Sequence, residues 1–127
     1  MYDHIGLRVR DMDASVRFYE AALAPLGHVL GPRDASGAGF GPPGGPALWL
    51  HRAGATTAAA GGRGAHVAFR AASRSAVARF HEAALGAGGR DNGGPGPRPD
   101  YGPSYYAAFV IDPEGNNVEA VCSADAG

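Results

Sequence analysis

The opening of this chain returns about halfway along it. A register that places His4 on His66 also superimposes Arg8 on Arg70, Arg17 on Arg79, Phe18 on Phe80, Glu20 on Glu82, Ala21-Ala22-Leu23 on Ala83-Ala84-Leu85 and Gly27 on Gly89, without a gap. Identities at polar and apolar positions alike mark a duplicated unit. Each unit reads as strand, helix and then about three strands. A sheet with a helix on one face only leaves its other face for the second unit to cover, so two units side by side predict a cup.

Within the first unit, His4 to Arg10 alternates, with Ile5, Leu7 and Val9 on one face and His4, Gly6, Arg8 and Arg10 on the other. That is the pattern of a half-buried strand. Asp11-Met12-Asp13 supplies a helix N-cap, and Ala14 to Leu26 has helical spacing through Phe18, Ala22 and Leu26, ending at Pro25 and Gly27. Weaker strand signals follow at His28–Leu30, around Phe40 and at Ala47–His51. The second unit repeats the strand at Ala65–Arg70, and Ser73 caps a helix over Arg74–Leu85, on which His81 and Glu82 are expected to be exposed. Arg90 to Ser104, rich in glycine and proline, reads as a long loop in which Tyr101 is a candidate lid contact. The unit closes with a hairpin, Tyr105–Cys122, turning through Asp112-Pro113-Glu114-Gly115-Asn116. The expected organisation is one domain over 1–127, with module one at 1–52, a linker at 53–64 and module two at 65–123.

Composition narrows the class of partner. All eleven basic residues are arginine, the formal net charge is −1 and there is no basic run, which argues against nucleic acid and anionic membranes. Cys122 is the one cysteine, so no internal disulfide forms, and it reads as a small buried strand residue. The chain enters a strand pattern at once, without a charged-then-apolar leader, and no apolar run approaches the ~20 residues of a membrane span. The expected location is the cytoplasm.

The hairpin's second arm carries one carboxylate in an otherwise apolar run, and an unpaired buried carboxylate is costly. Strand alternation lets Val118, Ala120 and Cys122 pack on the core while Glu119 points to the opposite side, where it needs a partner. His4 and His66 occupy equivalent positions on the faces turned away from their helices. If both sheets enclose one cavity, these three side chains match the two-histidine, one-carboxylate set that binds divalent iron, manganese or zinc. The rival is a buried ion pair of Glu119 with Arg8 or Arg70. Closure of the turn across Asp112 and Asn116 would set Phe109 opposite Glu119, with Ala107 and Tyr105 on the same face and Tyr106 on the other. Tyr105 is then a candidate proton donor.

The paired units, the histidines His4 and His66 at their strand starts, Arg17-Phe18-Tyr19-Glu20-Ala21-Ala22-Leu23, and Asp112-Pro113-Glu114-Gly115-Asn116-Asn117-Val118-Glu119 resemble the vicinal oxygen chelate superfamily. That group includes glyoxalase I, extradiol dioxygenases, fosfomycin-inactivating thiol transferases and bleomycin-resistance proteins. The resemblance covers nearly the whole chain. It implies an α+β fold of two tandem βαβββ modules forming a cup-shaped, half-barrel mixed sheet with helices outside. It also implies a divalent metal (manganese, iron, zinc or nickel) on His4, His66 and Glu119, and a homodimer acting on a small-molecule substrate. In glyoxalase I a glutamate on the closing strand of the first module is a fourth ligand; here Trp49 stands in its place, with His51 on the same face. Two functions follow as expectations: a metal-dependent enzyme of lyase, isomerase or dioxygenase type, or a metal-free binding protein like the bleomycin-resistance proteins. Trp49, Phe109, Arg8, Arg70 and His51 are the expected pocket walls.

Overall fold

Both helices begin where a short polar side chain can satisfy a free backbone N–H. In the computed structural model, which describes residues 1–53 and 65–123, the Asp11 carboxylate accepts from the Ala14 N–H at 3.0 Å and the Ser73 hydroxyl from the Ala76 N–H at 3.1 Å. The first module runs β1 (Ile5–Val9), α1 (Met12–Leu23), a 3-10 turn (Ala24–Leu26), β2 (Val29–Arg33), β3 (Gly37–Gly41) and β4 (Leu48–Arg52). The second runs β5 (His66–Arg70), α2 (Arg74–Gly86), β6 (Arg90–Pro97), β7 (Tyr106–Ile111) and β8 (Asn117–Cys122). Helix α1 starts two residues earlier than its spacing predicts, because Asp11 itself is the cap. It tightens into the 3-10 turn at Pro25 and stops at Gly27, in the left-handed region with φ 87°. The predicted linker, from residue 54 onward, lies outside the described residues.

The modules form two four-stranded mixed sheets, β1-β4-β3-β2 and β5-β8-β7-β6, open and not closed into a barrel. In each, the first strand pairs in parallel with the last, β1 with β4 and β5 with β8, and the other neighbours are antiparallel. The predicted two-module βαβββ architecture is therefore the observed one.

One predicted element is corrected. The segment read as a loop from Arg90 contains β6, paired along β7 with irregularities between Asp91 and Gly93 and between Gly93 and Gly96. An edge strand tolerates Pro95 and Pro97, whose missing N–H groups face away from any partner, and bulges tolerate glycine. Local propensity could not signal it, since β6 holds no β-branched or aromatic residue. A second correction concerns His81, whose ring bonds Asp91 at 3.0 Å and ties α2 to β6, while Glu82 is exposed as expected.

A single apolar core runs through both modules, with Phe18, Tyr19 and Leu23 of α1, Val77 and Phe80 of α2, and Val9, Leu50, Val110 and Val118 from the sheets. Helices α1 and α2 pack on each other as well as on their sheets. The hairpin turn locks this junction. Tyr19 donates its hydroxyl to Asp112 Oδ2 at 2.5 Å, and Asp112 also accepts from the N–H groups of Glu114 (2.9 Å) and Asn116 (2.8 Å) and from the Asn116 side chain (3.0 Å). Glu114 reaches back to the Asp11 N–H at 3.0 Å and to Arg10 at 3.4 Å. Burial, with the neighbouring Asp112 charge and bond, raises the Tyr19 phenol well above its ordinary pKa, so it remains a donor.

Tyr19→Phe is expected to lower unfolding stability by about 1.5–3 kcal/mol, the usual worth of a hydrogen bond to a charged group. Asp112→Ala, which removes all four bonds, should lower it further; urea denaturation of both variants measures the difference.

Candidate functional site

Strand parity and register decide what meets Glu119. It lies opposite Phe109 on β7 and beside Ala68 on β5, the Phe109 pairing being the one predicted. Its side chain points to the helix-free face and is nonetheless buried, with 2% of its surface exposed. Both carboxylate oxygens are engaged there. Oε1 lies 3.0 Å from His66 Nε2, and Oε2 accepts a short hydrogen bond from the Tyr105 hydroxyl. The partners of Glu119 are thus His66 and Tyr105, and not Arg8 or Arg70, both of which are exposed.

Aromatic contacts brace this pair. The His66 ring stacks on Phe109 with centroids 6.3 Å apart and planes 21° from parallel, and Tyr101 meets Tyr105 edge-on at 5.3 Å. On the other side of Phe109, the Arg98 guanidinium carbon sits 5.4 Å from the ring centroid. Sequence reasoning did not single out Arg98, because the glycine and proline around it concealed the strand that carries it to this face.

Burial, then the hydrogen bond to Glu119 and its charge, push the Tyr105 phenol up to about 12. Near neutral pH it therefore holds its proton at the hydroxyl, directed at Glu119 Oε2. The folded chain binds that proton more tightly than the unfolded chain, so the stability it contributes is present below about 10 and lost between about 10 and 12.

His4, the third predicted metal ligand, is placed differently. It is exposed, with Nδ1 bonded to Asp3 at 2.7 Å, and no contact joins it to His66 or Glu119. Among the described residues no group of three or more His, Cys, Asp or Glu side chains is close enough to hold a metal ion. The reason lies in the module junction. The modules meet through α1 and α2, through the Tyr19–Asp112 bond and through the reach of Glu114 to Arg10 and Asp11, and none of these contacts involves His4, His66 or Glu119.

On the helix-free face of module one, glycine stands on either side of Trp49. Gly6 and Gly39 flank it in register, and a Cβ at Gly39 would lie 2.9 Å from the indole, which occupies the space that a side chain there would need. His51 similarly leans over Gly6, where a Cβ would come within 3.2 Å of its ring. Trp49 pairs with Gly6 as Glu119 pairs with Ala68, so the two occupy equivalent places in the duplicated sheets. Module one has no carboxylate at that position.

Comparison with known proteins agrees with this architecture. The profile of the glyoxalase, bleomycin resistance protein and dioxygenase superfamily matches residues 2–120. No curated protein sequence gives a significant match. Among solved structures, a glyoxalase/bleomycin resistance protein from Albidiferax ferrireducens is 27% identical with a TM-score of 0.76, covering 96% of this chain and 98% of that one. A family enzyme from Burkholderia phytofirmans has a TM-score of 0.74 at 18% identity, over 96% of this chain and 98% of its own. A glyoxalase I mutant from Zea mays has a TM-score of 0.68 at 24% identity, with 94% of this chain covering 46% of that one. At these identities the last two speak for the fold alone.

Glu119→Gln removes the charge that helps hold the Tyr105 proton while leaving burial in place. Tyr105 is then expected to titrate below about 12 but still above its ordinary value of 10.0. Ring-carbon NMR titration, with Tyr105→Phe to assign the signal, checks this.

Proposed function

Because the chain belongs to the glyoxalase, bleomycin resistance protein and dioxygenase superfamily, we propose that it is a metal-dependent enzyme whose divalent ion is held by His66 and Glu119 together with His4 of a second copy. The observation that carries this reading is the approach of His66 Nε2 and Glu119 Oε1 to 3.0 Å on the helix-free face. An imidazole nitrogen and a carboxylate oxygen at that separation are donors suited to manganese, iron, zinc or nickel. The buried carboxylate also fits a cationic occupant, because a buried anion without one must rely wholly on its hydrogen bonds.

Two donors come from one chain, and the third calls for pairing. His4, Arg8, His66 and Arg70 are all exposed on faces that the helices do not cover. Laying module one of one copy against module two of another would cover both faces and bring His4 to the His66–Glu119 pair. A symmetric dimer would repeat the site twice. The small-molecule substrate would enter between the modules, with Trp49, His51 and Arg8 on one wall and Phe109, Tyr105 and Arg70 on the other.

When bound, the ion supplies Lewis acidity toward two adjacent oxygens of the substrate. The chain's own residues set the conditions for that. Tyr105 fixes Glu119 by donating to Oε2, which leaves Oε1 as the oxygen turned toward His66. Phe109 lies nearly parallel to the His66 ring and offers it an apolar neighbour on that side. Trp49 at the position equivalent to Glu119 leaves three protein donors, a set that fits dioxygenase chemistry better than the four-ligand set of glyoxalase I.

Mixed subunits test the metal site and its division between copies together. His4→Ala and Glu119→Ala, each purified alone, should bind manganese weakly. Unfolded together and refolded as a mixture, they should regain about a quarter of the wild-type sites, since half the dimers are mixed and each mixed dimer has one intact site. Recovery in neither mixture nor wild type would contradict the metal reading and favour a metal-free binder of an aromatic ligand; full metal binding by His4→Ala alone would contradict the shared site.

A further inference from the structure

The glycine- and proline-rich segment that conceals β6 has a structural product, the placement of Arg98. We infer that Arg98 is an anion-recognition residue of this site and binds a carboxylate or phosphate group carried by the substrate. The inference rests on the proposed location of the substrate beside His66 and Glu119, and does not depend on the metal.

The guanidinium is held in place from below. Nη2 donates to the Gly94 carbonyl at 2.8 Å and Nη1 to the Pro97 carbonyl at 3.2 Å, and the group lies over the Phe109 ring. Phe109 in turn stacks on His66, so Arg98 is one ring removed from the histidine that meets Glu119. The backbone beneath it is bare for a reason. A Cβ at Gly93 would stand 3.3 Å from Nη2, and one at Gly96 would stand 3.1 Å from Nη1. Gly93 has φ 144° as well, a conformation that side-chain-bearing residues rarely adopt. These glycines give the strand a shallow seat into which the guanidinium folds.

What the seat leaves unfilled identifies the ligand. Carbonyl oxygens neutralise no charge, and among the described residues no carboxylate forms an ion pair with Arg98. N–H donors beyond these two remain on the guanidinium, a planar cation of the kind that carboxylate and phosphate oxygens match. Among the described residues, the carboxylate that the register places on this face is already engaged. Glu119 is buried with both oxygens engaged, whereas Arg70 and His66 on the same face are exposed. Stacking on Phe109 and the two carbonyl bonds restrain the side chain before a ligand arrives, which reduces the ordering that binding would otherwise require. A ligand with an anionic group beside an apolar or aromatic body fits this surface.

The test uses the full-length, metal-free protein and three probes of similar shape: benzoate, phenyl phosphate and neutral benzamide, titrated by calorimetry or amide NMR. At least one anion should bind about tenfold tighter than benzamide, as a charge-assisted pair predicts. In Arg98→Gln the preference should fall to within about twofold, and Arg98→Lys should retain part of it, because the charge stays but the fork is lost. Comparison of benzoate with phenyl phosphate tells which anion the seat takes. No preference in the wild type, or a preference that survives Arg98→Gln, overturns the proposal. Should Arg98→Gln fail to fold, an undiminished preference in Arg98→Lys does the same. Manganese content is measured in parallel: wild type that prefers the anion but binds no manganese would sink the metal reading alone, and Arg98→Gln should hold as much manganese as wild type.

Discussion

A carboxylate that is almost wholly removed from water must be compensated, and in this protein that requirement organises the helix-free face of module two. Glu119 takes a phenolic proton donor on one oxygen and an imidazole on the other. Meeting both demands fixes Tyr105 at the start of the hairpin and His66 at the start of β5, and with them the stacked Phe109 and the Arg98 that lies on it. Had Glu119 been an apolar residue, nothing would oblige these side chains to converge. The site is thus a consequence of one strand's sequence, read through the register of two neighbouring strands.

Duplication supplies the frame, and divergence between the copies supplies the asymmetry. Equivalent strand starts retain His4 and His66, but the equivalent closing positions hold Trp49 and Glu119. One module therefore offers an aromatic surface flanked by glycine, and the other a charged cluster. The clasp between Tyr19 and Asp112 joins α1 of one module to the hairpin turn of the other. The proposed pairing with a second copy would use the two unlike faces, neither of which this clasp engages.

Much of this was readable before any coordinates. Strand alternation placed Glu119 away from the core, the turn Asp112–Asn116 set Phe109 opposite it, and the repeat paired His66 with His4. These are local or symmetric properties, and periodicity and turn chemistry encode them directly. What escaped was non-local. Strand β6 has glycine and proline where a strand would carry β-branched residues, and it exists because β7 offers it an edge; Arg98 was hidden with it. The separation of His4 from the His66–Glu119 pair depends on how the modules pack on each other, which no single strand's pattern records. His81, on the polar side of its helix by spacing, is drawn to Asp91 by the same unforeseen strand.

The central claim is that Glu119 and His66 are two of the three protein donors of a metal site that another copy completes. Anomalous diffraction from crystals of the manganese-loaded protein addresses it most directly. The account predicts a peak within bonding distance of Glu119 Oε1 and His66 Nε2 of one subunit and of the His4 ring of the next. A well-ordered dimer in which manganese is absent from that point, or in which the two helix-free faces are turned away from each other, would contradict it.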